Sequence, residues 1–511
     1  MKLTINGDMN RYYVQTLCMI FFPGAKFSET EIYTDVTPEV GMTVAENESE
    51  ISICVHMKAN GKSASHSHTV SLSEYETVDK AKKLCAGHVI FHCGREVFDG
   101  YSPPWGIHTG VRPAKMAMEF INQHMSRSDI IKKFREEYFL SEGKAELVHE
   151  IASREKRIID DFDGDKDTEK EKLCSVYVSI PFCPTRCEYC SFVSYTSPKL
   201  LSLIPDYLVQ LKSDIRKTFA LIKSLGMRVA SVYIGGGTPT TLNEGQLEDL
   251  LVEIERNTDA SSLLEYTLEA GRPDTITAEK VRIAKEHGVT RMSVNAQTTN
   301  DAVLHLIGRN HTAAVFLRSF DIVRSGGIRY INTDLIAGLP GETRTSFKAS
   351  LDKVVSLAPE NVTVHTFCVK KAAEILQKDD VAGLYTSINA EAEESIEYSQ
   401  KKLVKEGYRP YYMYKQKNTT GNLENTGFSK DGCECIYNIF MMEEIQTIFA
   451  AGAGAVTKFV RKNSAGKPEI KRIFLPKYPY EYLRNANSPK SERGDFYENM
   501  SREAGEFFSL N

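Results

Sequence analysis

The chain reads as an α/β protein: six parallel βα units, fewer than a closed eightfold barrel, with a smaller α+β unit before them and a C-terminal extension after them. Three observations predict this. From Cys174 onward, short runs rich in β-branched residues alternate with stretches of helical spacing, most of which carry a glycine or proline near one end. A charged tract from Asp160 to Lys172 separates this region from an N-terminal part with a different pattern. The turns dense in cysteine, glycine and carboxylates fall where the strands end, and in barrels the chemistry sits at that rim. The reading divides the chain into an accessory unit over 1–165, a partial barrel over 174–370 and a substrate-covering region over 371–511.

Within the accessory unit, Tyr12 to Leu17, Ile51 to Val55 and Ser65 to Leu72 read as strands, while Val78 to Phe91 and Lys115 to Met125 carry helical spacing. The segment Pro103 to Pro113 holds the only tryptophan, Trp105, and is dense in turn residues, which fits a structural turn. The barrel strands are Val176 to Ile180, Val229 to Ile234, Glu265 to Glu269, Arg291 to Asn295, Tyr330 to Ile336 and Asn361 to Phe367. Helical stretches over 200–225, 244–255, 278–287, 313–325 and 345–357 lie between them.

Composition narrows the function. A chain of 511 residues, 41% hydrophobic and 26% charged, fits a globular protein of two or three domains. Its net charge of −5 gives no basic field and argues against nucleic acid as a partner. No apolar run approaches the ~20 residues of a membrane span. The N-terminus lacks a signal peptide's apolar run, and 11 cysteines are too few for a disulfide framework at this length, which predicts reduced thiols and a cytoplasmic location.

The first barrel strand runs into Cys183, Cys187 and Cys190, spaced C-x-x-x-C-x-x-C. Thiolates hold iron–sulfur clusters, and four normally close one, so three leave one iron open to a substrate or cofactor. The same residues also suit a zinc site completed by Cys174 or a distant ligand, or three ordinary thiols. Further along, Gly235-Gly236-Gly237-Thr238-Pro239 ends the second strand, where missing side chains let a ligand approach the backbone. Glu269 ends the third strand, Asn295-Ala296-Gln297 follows the fourth, and Asp334 sits inside the fifth among apolar neighbours, where a carboxylate needs a partner. Cys433 and Cys435, separated by one residue, could add a redox pair or cluster ligands, but such a pair is more often two ordinary thiols.

The cysteine loop resembles that of the radical S-adenosylmethionine (SAM) enzymes, whose fold is a six-unit partial barrel. Together, Tyr177 to Cys183, Gly235 to Pro239, Ile307-Gly308-Arg309-Asn310-His311-Thr312 and Asp334 to Pro340 resemble the oxygen-independent coproporphyrinogen III dehydrogenases. The N-terminal unit, Tyr411 to Asn418 and Gly421 to Asn425 resemble the HemZ-type branch. The resemblance implies a 4Fe-4S cluster on Cys183, Cys187 and Cys190, with SAM on its open iron. It puts SAM contacts at Tyr177, Gly236, Gly237, Thr238, Glu269, Gln297, Arg309 and Asp334, with weaker correspondence at Cys368 and Val456. Arg309 suits a carboxylate, and Asp334 or Glu269 suits hydroxyls or an ammonium.

The implied reaction is oxidative decarboxylation of coproporphyrinogen III propionates to vinyl groups, with a flavodoxin or ferredoxin as electron donor. Lys370, Lys371, Lys415 and Lys417 are candidates to hold the remaining propionates. Two departures bear on the substrate. The family has a further cysteine where this chain has Phe192, and a histidine where it has Ser179. The related heme chaperones carry a heme-ligating histidine and an aromatic pair, for which the run Tyr437 to Met442 has no counterpart.

Overall fold

The computed structural model describes residues 1–27, 37–163, 172–190, 194–368, 381–416, 419–463, 468–487 and 496–509. Strands β1 (Lys2–Asn6), β2 (Glu39–Glu46), β3 (Glu50–Ala59) and β4 (Lys62–Ser71) form a four-stranded sheet in that order, parallel at β1–β2 and antiparallel beyond. Helices Arg11–Phe21 and Val78–Val97 cover it, and Val40, Met42, Ile53, Val55 and Met57 meet Val14, Leu17, Cys85 and Val89 in one core. Residues 12–17, expected as a strand, lie in the first of these helices. Val14, Leu17, Cys18 and Phe21 recur at helical spacing and are buried, and the Asn10 side chain caps the helix by accepting from Tyr13 N at 3.0 Å.

A second sheet has eleven strands. The six expected barrel strands are present as β5 (Leu173–Ile180), β6 (Arg228–Gly236), β7 (Glu265–Leu268), β8 (Arg291–Ser293), β9 (Tyr330–Ala337) and β10 (Asn361–Thr366), all parallel and adjacent in chain order. Beyond β10 the sheet continues antiparallel into β12 (Glu424–Ser429) and then β11 (Arg409–Lys415). On the other side β13 (Thr447–Ala451) adds a further parallel strand to β5, followed by β14 (Val456–Lys462) and β15 (Pro468–Phe474). The sheet thus runs from β11 to β15.

The return helices are Ile204–Ser224, Glu244–Glu255, Ala278–Glu286, Ala313–Ser325 and Arg344–Ser356. Four of them start at a side-chain cap, Asn243, Thr277, Thr312 or Thr343, each of which accepts from a backbone N–H of the first turn. Their apolar faces pack on Val176, Val178, Ile180, Val232, Ile234, Leu268, Met292 and Leu335. The other face of the strands carries Ser175, Tyr177, Ser231, Tyr233, Glu265, Arg291 and Asp334. Away from the rim these pair tightly. Glu265 and Arg291 lie 3.3 Å apart with side chains 3% exposed, and Cys435 Sγ donates to Glu265 Oε1 at 3.0 Å.

The N-terminal unit meets the second sheet at a buried polar cluster. Trp105, fully buried in its turn, donates Nε1–H to Glu424 Oε2 at 2.6 Å. Lys144 and Gln400 donate to Glu424 Oε1 at 2.5 and 2.6 Å. Lys415 donates to the His108 carbonyl at 2.7 Å.

Candidate active site

The cysteine loop is held on every side. Cys183 N donates to Tyr195 O at 3.1 Å, Cys190 N to Cys187 O at 3.1 Å, and Glu188 N to Ile307 O at 3.1 Å. The glycine turn after β6 packs under the start of the loop. Gly237 N donates to Ile180 O at 2.8 Å and Thr238 N to Phe182 O at 2.7 Å. A Cβ on Gly237 would stand 2.6 Å from the Phe182 carbonyl oxygen, and Gly236 has φ +112°, so neither position suits a side chain.

Cys183 and Cys187 are buried and Cys190 is half-buried. Thr238 Oγ1 lies 3.3 Å from Cys183 Sγ, and Arg272 Nη1 donates to Cys187 Sγ at 3.3 Å. Burial pushes the Cys183 thiol up to about 11, with Thr238 and Arg272 pulling the other way. Among the described residues, no three His, Cys, Asp or Glu side chains converge on a point that would hold a single metal ion. A four-iron cluster takes each thiolate on a different iron.

Beside the loop, Arg309 is 8% exposed. Its Nη1 donates to Gly271 O at 3.0 Å and Asn295 O at 3.3 Å, and its Nη2 to the Tyr189 hydroxyl at 3.4 Å. The guanidinium therefore ties the cysteine loop to the ends of two strands. Gln297 holds φ +61°, rare for a residue with a side chain; its N donates to Asp334 O at 2.8 Å and its carbonyl accepts from Ile336 N at 2.9 Å. Asn332 Nδ2 donates to Asp334 Oδ1 at 2.8 Å, and His365 Nε2 stands 3.6 Å from Asp334 Oδ2. Glu269 is half-buried; desolvation, then the Asp334 charge, push its carboxyl up to about 8. The Tyr177, Tyr233 and Tyr437 rings stack beside it, with Tyr233 and Tyr437 4.7 Å apart.

The structure thus gathers Tyr177, Gly236, Gly237, Thr238, Glu269, Gln297, Arg309 and Asp334 at one end of the sheet with the three cysteines. Cys368 is buried and bridges to Thr419, and Val456 begins β14. Lys415 is not available to a propionate: it is 3% exposed and bonded to His108 O of the N-terminal unit. Lys370, Lys371, Lys417 and Phe192 lie outside the described residues. Arg272, Tyr189 and His365 went unread in the sequence. Arg272 follows Gly271 just past the rim of β7, the one hint it offers.

These features define a radical SAM site, and residues 177–354 match the Radical SAM superfamily. Over 449 residues, 87% of this chain and 87% of the relative, the sequence is 33% identical to the oxygen-independent coproporphyrinogen-III oxidase-like protein HemZ of Bacillus subtilis (strain 168). Over 335 residues, 65% of this chain and 84% of the relative, it is 30% identical to the heme chaperone HemW of the same strain. The fold is like that of the coproporphyrinogen III oxidase HemN from Escherichia coli, with TM-score 0.50 and 20% identity over 62% of this chain and 70% of that one. The chain belongs to the HemZ-type family of oxygen-independent coproporphyrinogen III oxidase-like proteins.

The cofactors of the superfamily are a 4Fe-4S cluster and SAM, and the residues present fit both. The thiols come from one loop and carry hydrogen bonds from Arg272 and Thr238. Asn295 Oδ1, Gln297 Oε1 and Arg309 Nε are buried with no hydrogen-bond partner among the described residues, as polar atoms that await a ligand would be. Among the described residues, no helix is long and apolar enough to cross a membrane.

Proposed function

We propose that this protein is a radical SAM oxidoreductase that converts coproporphyrinogen III propionates to vinyl groups. The observation that carries this reading is the joining of the cysteine loop to a partly buried rim of Glu269, Gln297, Arg309 and Asp334, in a chain that matches a HemZ relative over 87% of both lengths. Cys183, Cys187 and Cys190 would hold the cluster, and the rim with Tyr177, Gly236, Gly237 and Thr238 would hold SAM. When bound, the two together supply a 5′-deoxyadenosyl radical that takes a hydrogen atom from a propionate β-carbon.

The protein's part is placement and exclusion. Arg272 and Thr238 stabilise negative charge on the sulfurs, while Glu269 and Asp334 face a cationic ligand. The tyrosine stack covers this face of the sheet with large aromatic surfaces. From each propionate a hydrogen atom, carbon dioxide and one electron leave, so an electron acceptor is required as well as a flavodoxin- or ferredoxin-type donor.

The test is an anaerobic incubation of reduced protein, SAM and coproporphyrinogen III, read by mass spectrometry. Loss of two carboxyl groups together with 5′-deoxyadenosine is the expected outcome. The similarity to the heme chaperone HemW supports a second reading, heme trafficking, and tight heme binding with neither product would favour it. 5′-Deoxyadenosine with unchanged porphyrinogen would remove this substrate and leave the cofactor chemistry. A Cys183→Ala/Cys187→Ala/Cys190→Ala variant that keeps its iron and sulfide would overturn the cluster assignment.

A further inference from the structure

Outside that site, the N-terminal unit gathers four of the chain's 12 histidines on one patch. His66 and His68 share one face of β4, the edge strand of the four-stranded sheet. His88 and His92 lie four residues apart on helix Val78–Val97, which packs on that face. The His68 and His88 ring centroids are 5.3 Å apart, and those of His66 and His92 are 5.8 Å apart. Two imidazoles on one tetrahedral ion, with metal–nitrogen bonds of ~2.0–2.1 Å, place their ring centroids roughly 5 Å apart. Both pairs are close to that separation. As the rings stand, no three converge on one point, so binding requires them to turn inward.

In two of the four rings the nitrogens are already sorted. His88 Nε2 donates to the Glu137 carbonyl at 2.8 Å, and His66 Nε2 lies 2.9 Å from Glu96 Oε2, which leaves Nδ1 of each ring as the lone-pair nitrogen. Metal-ligating histidines are oriented in this way, with the second nitrogen on a carbonyl or carboxylate. Phe139, at φ +58°, sets its ring 4.6 Å from His88 and 5.3 Å from His92. The packing of strand on helix is carried by Ala64, Val70, Cys85 and Val89, so the core does not account for the histidines. His66 and His88 are half-buried and His68 and His92 exposed, within reach of an ion from solvent.

We propose that His66, His68, His88 and His92 bind one divalent transition-metal ion of the imidazole-preferring, zinc-like class, which staples edge strand β4 to helix Val78–Val97. The test titrates the anaerobically reconstituted full chain with Zn2+ against a chromophoric chelator. One zinc per chain is expected, with at least ~100-fold weaker binding in both His88→Ala/His92→Ala and His66→Ala/His68→Ala and with cluster absorption unchanged. Zinc-edge X-ray absorption should then report nitrogen ligands at about 2.0 Å. Unchanged zinc affinity in either double variant would overturn the proposal, as would sulfur in the zinc shell, which would place the ion on cysteines. Should the alanine variants fold poorly, His→Gln at the same positions keeps size and polarity and must show the same loss.

Discussion

The Arg272 guanidinium donates to the Cys187 sulfur at 3.3 Å and to the Thr185 carbonyl at 3.2 Å, so one buried cation grips both the backbone and a thiol of the cysteine loop. Hydrogen bonds to cluster sulfurs favour the reduced, more negative state. A charge-assisted hydrogen bond is worth ~1.5–3 kcal/mol, at most about 65–130 mV for a one-electron couple. Arg272→Gln should therefore lower the cluster's reduction potential within that bound. A potentiometric titration followed by electron paramagnetic resonance measures it, and a rise in potential would contradict this role.

Gly237 stands where the glycine turn presses on Phe182. In Gly237→Ala the Cβ meets backbone, which cannot move aside as a flexible side chain could. Overpacking of this kind costs ~1–3 kcal/mol, and here the atoms that must shift lead into the first cluster ligand. Iron content per chain should fall along with the melting temperature. Normal iron in a destabilised variant would separate the turn from the loop.

The six parallel strands were legible because most are short runs with β-branched residues followed by a turn and a helix, and four of the five return helices open at a side-chain cap, so local chemistry and tertiary role agree. Residues 12–17 misled because Tyr12, Tyr13 and Val14 make a short run of aromatic and β-branched residues, and the helical spacing shows only when Cys18 and Phe21 are included. β13 lies some 270 residues from its partner β5, and no periodicity says which edge such a strand joins. At the site, residues carried by motifs were found. Arg272 was not, because the cysteine it serves is 85 residues away. Lys415 read as a candidate to hold a propionate because its burial depends on Trp105 and His108, about 300 residues earlier.

The contact between the N-terminal unit and the second sheet should answer to charge removal. Burial alone would raise the Glu424 carboxyl, but the Lys144 ammonium and the bonds from Lys144 and Trp105 hold it below the usual range. Breaking a buried pair by removing one partner costs ~3–5 kcal/mol, so Lys144→Met should be strongly destabilising in denaturant unfolding, and Glu424→Gln added to it should recover part of the loss. Complete additivity of the two substitutions would show that the pair does not interact.

Lys415, in the same cluster, adds a pH signature. Burial lowers its ammonium to about 7, the Glu424 charge opposing and the Lys144 charge assisting. The unfolded chain, with a lysine near 10.4, then binds more protons than the folded one from about pH 7 to 10.4, so this residue makes stability rise with pH over that window. Lys415→Met should flatten the rise between about pH 7 and 9 in unfolding experiments. An unchanged slope would mean the lysine stays charged.

Glu269 makes the opposite contribution and couples it to the proposed ligand. Its carboxyl, raised to about 8 by burial and then by Asp334, keeps its proton where an unfolded glutamate near 4.3 has lost it. Over that window the folded chain binds more protons, so this residue's stabilisation is complete below about pH 4.3 and is lost as pH rises through about 8. A cation placed against Glu269, as proposed for SAM, favours the ionised carboxylate, so binding should release a proton and tighten as pH rises. The limit is tenfold per unit below about 8. The α-amino group of SAM also titrates near this range, so Glu269→Gln is the needed comparison: it should bind more weakly and lose most of the pH dependence. Equilibrium binding of SAM to the cluster-loaded protein from about pH 6 to 8 reads both curves. Parallel curves for the two proteins would remove Glu269 from the cation site.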